Sequence, residues 1–363
     1  MGAFCMKVPD MQILLPEKNN LRFALLGSGY HLCAFAEMLV ERGYPNPIIV
    51  THPRAEHERD RSLLRDERLY TFLFDVADQL GLDVVESPTV NRSDVVELLL
   101  RRRCKAAFSL SCRSIIKKEF IDAFNGRVFN IHPSYLPEER GGGIFSWRIM
   151  NGVSDVAATI HIVDEGIDTG PVILQKRVDV GVATPTPYDF LIKTNELYTE
   201  LLLSFLAMVE QSGVVSCYAQ DESISTYLPR LFTEVNAAIN WDWSAEEIER
   251  FIRAFSHPYP GAFSYVSGIR IAILEAELLP NARTYHPFVS GRVIKIGQDR
   301  SVYVVARGGF LRIMKVAIEG HQHMPANVIH ITDTFLTPHD LLFESRSRTV
   351  NIKEIVKTVY KND

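Results

Sequence analysis

With 363 residues, 47% of them hydrophobic and 23% charged, the chain can supply cores for two domains of ordinary size and lacks the bias of a disordered or fibrous sequence. A formal net charge of −5 argues against nucleic acid as the main partner, although a local basic face is compatible with it. The five cysteines, Cys5, Cys33, Cys104, Cys112 and Cys217, are odd in number and show no CxxC spacing, which disfavours a disulfide framework or a zinc knuckle, and no metal is expected.

No stretch reaches about 18 uninterrupted apolar residues, so no membrane span is expected. The opening apolar run is broken by Pro16 and is too short for a signal peptide, and the Met-Gly start lacks the Ser or Thr of a myristoylation signal. A cytoplasmic location is the expectation. The mixed or short charge runs Pro53 to Arg68 and Arg101 to Lys105 read as solvated helix faces.

From Leu21 onward, short β-rich runs alternate with longer amphipathic segments, the pattern of a parallel sheet wrapped by crossover helices. RFALLG predicts a first strand, HLCAFAEMLVERG a helix stopped by Gly43, and PIIVTH a second strand. Helix YTFLFDVADQLG, strand DVVES, helix SDVVELLLRRR, strand AAFSLS, helix SIIKKEFIDAF and strand RVFNIH follow. AATIHIVD and PVILQKRVDV then read as strands joined by the turn EGIDTG, and an amphipathic helix near Tyr188 to Gln211 closes the unit.

After a break around Gly213 to Thr233 the pattern changes. A helix with Ser244 as N-cap and Glu247 at the capping-box position precedes AFSYVSG, IRIAILEAELL, GRVIKIG, SVYVVARGG and LRIMKVAI. Short strands punctuated by glycine and proline suggest a small barrel or sandwich, with NVIHIT as a further β-like run. The expected organisation is an N-terminal extension over 1–20, an α/β domain over 21–212, a linker over 213–235 and a helix plus β-rich domain over 236–363.

The stretch VFNIHPSYLPEERGGGIFSW begins as a buried strand and then breaks every rule for continuing one. Strand residues two apart face the same side, so Asn130 and His132 project together from the carboxyl end of a strand, where open α/β sheets bind ligands. An amide there can donate to a developing oxyanion while an imidazole moves a proton. The competing reading makes Asn130 a loop cap and His132 a satisfied histidine. HIVDEGIDTGPVILQ places Asp164, Glu165 and Asp168 around two glycines, and a carboxylate there could orient the imidazole. Plain turn chemistry is the alternative. His161 reads as a structural or supporting residue beside the site.

FNIHPSYLPEERGGGIFSWRIMNG followed by ATIHIVDEGIDTGPVILQ resembles the double signature of the N10-formyltetrahydrofolate-dependent formyltransferases. The resemblance covers Leu21 to Gln211 well and the remainder loosely. It implies a Rossmann-like formyltransferase domain followed by a smaller, barrel-like β-rich domain. It also implies an enzyme in which Asn130, His132 and Asp168 are catalytic and N10-formyltetrahydrofolate is the formyl donor. SLSCRSII is implied to hold the pterin through groups near Arg113 and Ile115, together with the loop carrying Asp164 and Glu165. The prolines and Gly141 to Gly143 then stop the strand and bring bare backbone to the substrates.

GGGIFSW lacks the proline many relatives have after the glycine pair and is closer to the nucleotide-sugar branch, as is THPRAEH. That branch implies an acceptor amine on a dTDP-, UDP- or GDP-linked amino sugar, a place in lipopolysaccharide O-antigen biosynthesis, and a homodimer. In it an aromatic ring of FSHPYPGAFSY stacks on the base, for which Tyr259 is the candidate, with core packing as the alternative. Arg54 and Arg113 are candidates to meet a pyrophosphate or the folate tail, against an ordinary surface ion pair.

Three alternatives are weighed. A dinucleotide-binding oxidoreductase is disfavoured because GSGYHL offers Gly27 and Gly29 but has Leu32 at the third glycine position, and no acidic residue ends the second strand. A methionyl-tRNA formyltransferase should carry a basic second domain, whereas residues 230–363 hold 16 basic and 14 acidic side chains. An idle nucleotide-binding module on the same fold would tolerate loss of Asn130 and Asp168.

Overall fold

The computed structural model describes residues 11–63, 71–279 and 285–347, with the side chains of 59–63 set aside. Cys5 and residues 64–68 of the charged Pro53 to Arg68 run lie outside the described residues. The chain divides into two compact units, the first holding 1–141, 155–179 and 191–227 and the second 142–154, 180–190 and 228–363. Segments 142–154 and 180–190, expected inside the α/β domain, thus cluster with the β-rich unit.

In chain order the first unit begins with β1 (Met11–Leu14), β2 (Arg22–Gly27), α1 (Tyr30–Glu41), β3 (Ile48–Thr51), α2 (Arg54–Leu63), α3 (Leu73–Leu80) and β4 (Asp83–Glu86). It continues through α4 (Ser93–Arg101), β5 (Cys104–Leu110), α5 (Lys118–Ala123), β6 (Val128–His132) and β7 (Arg140–Gly141). After α6 (Ile144–Met150), which belongs to the second unit, come β8 (Asp155–Ile162), β9 (Val172–Asp179), α7 (Pro187–Ser212) and β10 (Val214–Cys217).

Seven strands form one sheet in the order β4-β3-β2-β5-β6-β8-β9. The first five are parallel, while β8 runs antiparallel to β6 and β9 antiparallel to β8. The central strands are buried on both faces, which is why they read as continuous apolar runs. Ala24, Leu26, Val50, Ala107 and Val128 face a core with Leu99, Phe120 and Phe124. On the opposite face Phe35, Phe108, Phe129 and Phe205 stack in sequence with centroids 4.9 to 6.0 Å apart. Alternation along β6 therefore puts Asn130 and His132 on the Val128 face, with His132 at the strand's carboxyl end.

Three local expectations change. Helix α5 starts at Lys118 rather than near Ser114, because Asn91 takes the backbone instead: its Nδ2 donates to the Ile115 carbonyl at 2.8 Å and its Oδ1 accepts from Lys117 N–H at 2.8 Å. NVIHIT forms no strand; a short 3-10 turn at Pro325–Asn327 enters it, Ile329 is fully buried, and His330 N–H donates to Asp333. Residues 11–14 of the expected extension pair with β10 from the expected linker, so these two stretches build an extra ribbon of the first unit.

The second unit adds β11 (Tyr227–Leu228), which straddles the division, then α8 (Thr233–Asn236), α9 (Ala245–Ala254) and strands β12 (Ala262–Val266), β13 (Ile269–Leu279) and β14 (Val293–Ile296). β15 (Val302–Ala306), β16 (Gly309–Ile318), β17 (His321–His323) and α10 (His339–Ser347) complete it. The strands form an antiparallel sheet in the order β12-β13-β16-β15-β14, with β17 against β16. The segment around Asp333 to Leu336 bonds both ends of this path: Leu336 N–H to Tyr265 O beside one edge, Val293 N–H to Asp333 O beside the other, both at 2.8 Å. That closure gives the antiparallel unit its barrel-like character. The expected capping box is present, with Glu247 N–H on Ser244 Oγ and Ser244 N–H on Glu247 Oε2.

Candidate active site

Asn130 and His132 stand on β6, and register pairs Asn130 with His161 across to β8. Directly opposed residues share a face, so the amide and the ring meet: Asn130 Nδ2 lies 3.1 Å from His161 Nε2. His161 Nδ1 lies 2.7 Å from the Ile162 carbonyl, and its Nε2 is turned to the Asn130 amide.

Asp168 comes from the turn between β8 and β9, held in the left-handed region at φ 56. Its Oδ2 lies 3.4 Å from His132 Nδ1, and its Oδ1 lies 3.6 Å from His161 Nε2. Gly141 N–H donates to Oδ2 at 3.0 Å. Gly141 has φ 101, a conformation most side chains refuse, so this glycine of the triplet is required for the backbone to reach the carboxylate. The amide and imidazole of β6 and the carboxylate of a distant turn, singled out in the sequence, thus converge.

His132 is 5% exposed, and its Nε2 lies 3.0 Å from the Glu139 carbonyl. An oxygen therefore faces each ring nitrogen. In the neutral ring, whichever nitrogen carries the hydrogen, the other directs its lone pair at an oxygen; only the cation satisfies both. Burial opposes the cation and pushes the His132 pKa below the ordinary imidazole value, against the raising effects of Asp168 and the Glu139 carbonyl. For Asp168, burial alone would raise the pKa, but His132, His161 and the Gly141 N–H together hold it well below the usual carboxylate range.

Support arrives from residues that sequence reasoning did not single out. Gln220 Nε2 donates to the carbonyls of Asp168 and Gly170, at 2.8 and 2.7 Å, clamping the turn from both sides. Gln220 Oε1 accepts from Arg140 at 2.8 Å, and Arg140, only 6% exposed, is paired with Glu222 at 2.6 Å. Behind β6, the Tyr198 hydroxyl reaches the Ile131 carbonyl at 3.5 Å and its ring packs on His31, whose pKa burial pushes down to about 4. The arginine within PEERGG and the lone glutamine after β10 carried no local signal of these roles.

The other candidates lie apart from this centre. Arg113 forms an ion pair with Glu56 of α2, while Ile115 leaves its side chain 43% exposed. Asp164 Oδ1 is engaged in its own turn, accepting from Thr169 Oγ1 at 2.6 Å and Gly166 N–H at 3.2 Å. Glu165 is exposed and stands 3.8 Å from Lys118 Nζ, which brings the 164–168 turn beside the 111–117 loop. Ile115 and Ile167, on these two loops, are partly in solvent. Arg54 lies over the Phe74 ring at 4.0 Å and gives its backbone N–H to Glu86. Tyr259 belongs to the second unit, where its hydroxyl bonds Ser146 and burial raises its pKa. In GSGYHL, a Cβ at Gly27, φ +126, would lie 2.0 Å from the Leu110 carbonyl, so close strand packing accounts for that glycine.

Comparison with known families places the chain. Residues 21–205 match the formyl transferase model and residues 232–331 match the formyl transferase C-terminal domain. The chain belongs to the formyl transferase family. It is a formyl-transferring enzyme, and N10-formyltetrahydrofolate is its donor.

Over 288 residues the chain is 27% identical to a methionyl-tRNA formyltransferase of Thermodesulfovibrio yellowstonii, covering 79% of this chain and 88% of the relative. Its fold is similar to the N-formyltransferase of Helicobacter canadensis, solved with folinic acid and dTDP-3-aminofucose. That match has a TM-score of 0.60 at 17% identity and covers 81% of this chain and 98% of that one. A second solved structure, WlaRD, a sugar 3N-formyl transferase with dTDP and 5-N-formyl-THF present, gives a TM-score of 0.58 at 19% identity over 81% and 96%. Among the described residues, no helix is long and apolar enough to cross a membrane.

Proposed function

We propose that this enzyme formylates the primary amine of a nucleotide-linked amino sugar, with Asn130, His132 and Asp168 as the catalytic residues. The convergence of these three side chains carries the catalytic part. The amine nitrogen attacks the formyl carbon; Asn130 donates an N–H to the oxygen as it gains charge; the C–N bond to the folate breaks. His132 Nε2, the nitrogen turned away from Asp168, exchanges the Glu139 carbonyl for the reacting groups and carries the amine's proton to the departing folate nitrogen. Asp168 steadies the imidazolium formed on the way, which relieves the conflict the neutral ring endures between two oxygens.

The pterin is assigned to the 111–117 loop with Arg113 and Ile115 and to the Asp164–Glu165 turn. Arg54 is proposed to meet the acceptor, and Tyr259 is proposed as a stacking ring within the second unit. Two observations favour a sugar nucleotide: the solved relatives that hold dTDP and dTDP-3-aminofucose, and the balanced charge of residues 230–363. A second reading rests on the relatives named methionyl-tRNA formyltransferase, which align over most of the chain at 24–27% identity. Incubation with N10-formyltetrahydrofolate and a panel of dTDP-, UDP- and GDP-linked amino sugars, alongside methionyl-tRNA, separates the two. A formyl mass on a sugar nucleotide supports the first. Formylation of the tRNA alone, with affinity falling steeply with salt, overturns it.

A further inference from the structure

Asn130 has neighbours in register on both sides. Leu26 of β2 pairs with Ser109 of β5, Ser109 with Asn130 of β6, and Asn130 with His161 of β8, so four side chains form one row across the sheet. Ala107 and Val128, two residues earlier on β5 and β6, lie in one core cluster with Leu26. Strand alternation carries that side forward, so the Ser109 hydroxyl stands on the same face as the Asn130 amide.

The two flanks of Asn130 differ. On the β8 side, Asn130 Nδ2 meets His161 Nε2 at 3.1 Å. On the β5 side, Ser109 is 5% exposed, yet its hydroxyl makes no hydrogen bond among the described residues. A hydroxyl this buried ordinarily has a partner, and the alanines and leucine of the cluster beside it have none to give. Ser109 also stands one residue before the end of β5 at Leu110, at the carboxyl edge where open sheets take their ligands.

We infer that Ser109 is a further catalytic residue, its O–H donating to the formyl oxygen of the folate donor beside the Asn130 amide. A carbonyl oxygen carries two lone pairs, so two donors can share it. The formyl carbon and the tertiary amide nitrogen of the folate offer neither N–H nor O–H, which makes the oxygen the group of the reacting amide that a serine O–H serves. As the amine nitrogen bonds to the formyl carbon, the C=O electron pair moves onto the oxygen; it returns when the C–N bond to the folate breaks, and Ser109 keeps its proton throughout. The inference rests on the proposed placement of Asn130 at the formyl oxygen.

The test compares equilibrium binding of 10-formylfolate and of folate, which lacks the formyl group, to the full chain by calorimetry. In Ser109→Ala the affinity for 10-formylfolate should fall about fivefold while that for folate stays within about twofold. Thermal stability should hold or rise, because the hydroxyl has no partner among the described residues to lose. With N10-formyltetrahydrofolate and dTDP-3-aminofucose, kcat should fall about tenfold at unchanged KM for the acceptor. An equal loss for both ligands, no loss for either, or a drop in stability with formyl discrimination intact would each overturn the inference. A rise in KM for the acceptor at constant kcat would do so too, by placing the hydroxyl on the amine. Asn130→Ala with the same two ligands separates Ser109 from the reading beneath it. If neither variant changes formyl discrimination, the placement of Asn130 fails as well; if only Ser109→Ala is silent, Ser109 alone is displaced. Should dTDP-3-aminofucose accept no formyl group from the wild type, the sugar reading is what fails, and the binding comparison still decides the role of Ser109.

Discussion

Two buried polar clusters, one in each unit, are satisfied in opposite ways. In the second unit Trp241 Nε1 donates to Ser264 Oγ, which shares a hydrogen bond with Thr337 Oγ1, both at 2.9 Å. These three groups are neutral, and one arrangement of hydrogens serves them all. At the end of β6, His132 sits between the Asp168 carboxylate and the Glu139 carbonyl, and no neutral form of the ring satisfies both. Matched neutral partners lock a fold. A conflict that one proton resolves is suited to moving protons, and the surrounding clamps hold that conflict in place.

Breaking the conflict should have the largest effect. Asp168→Asn removes the charge proposed to steady the imidazolium, and kcat for formyl transfer should fall by about 10² to 10⁴. It should also shift the acid limb of the pH–rate profile in a defined direction. His132 already titrates below its ordinary value of about 6.5, so the wild-type limb lies below that pH. Asp168 raises the His132 pKa, so its loss should carry the limb lower still; a limb that moves upward contradicts the assignment. Asn130→Ala, which removes the proposed donor to the oxyanion, should cost about 10² to 10³ in kcat, read from tetrahydrofolate release.

Gln220→Leu sharpens the comparison by loosening the clamp while leaving the conflict chemically intact. The Asp168 turn loses two hydrogen bonds to its carbonyls, and kcat should fall by about tenfold with KM for the folate little changed. A purely structural role would lower thermal stability and leave the kcat of the folded enzyme alone.

How much of this was legible follows from the reach of each signal. Two-residue alternation along VFNIH placed Asn130 and His132 on one side of a strand end, and the alternation of strands and amphipathic runs described the layered sheet. Long-range register carried no local mark. Nothing near His161 says that it faces Asn130, because that pairing depends on β8 returning antiparallel beside β6. Gln220 and Arg140 are likewise set by tertiary contact alone. NVIHIT misled because its β-branched residues serve a turn whose buried anchor is Ile329.

In the second unit a comparable deletion should have only a structural effect. Ser244→Ala dissolves the capping box of α9 and should cost about 1 kcal/mol of stability, measured by denaturant unfolding, with kcat unaltered in the folded protein.

The most direct test of the account is tetrahydrofolate release from N10-formyltetrahydrofolate in the presence of an amine acceptor, compared between the wild-type enzyme and a folded His132→Ala variant. The account predicts that turnover collapses by about 10² to 10⁴ while folate binding persists. Wild-type turnover in the variant would show that the proton travels another route and that the convergence on β6 is not the catalytic centre.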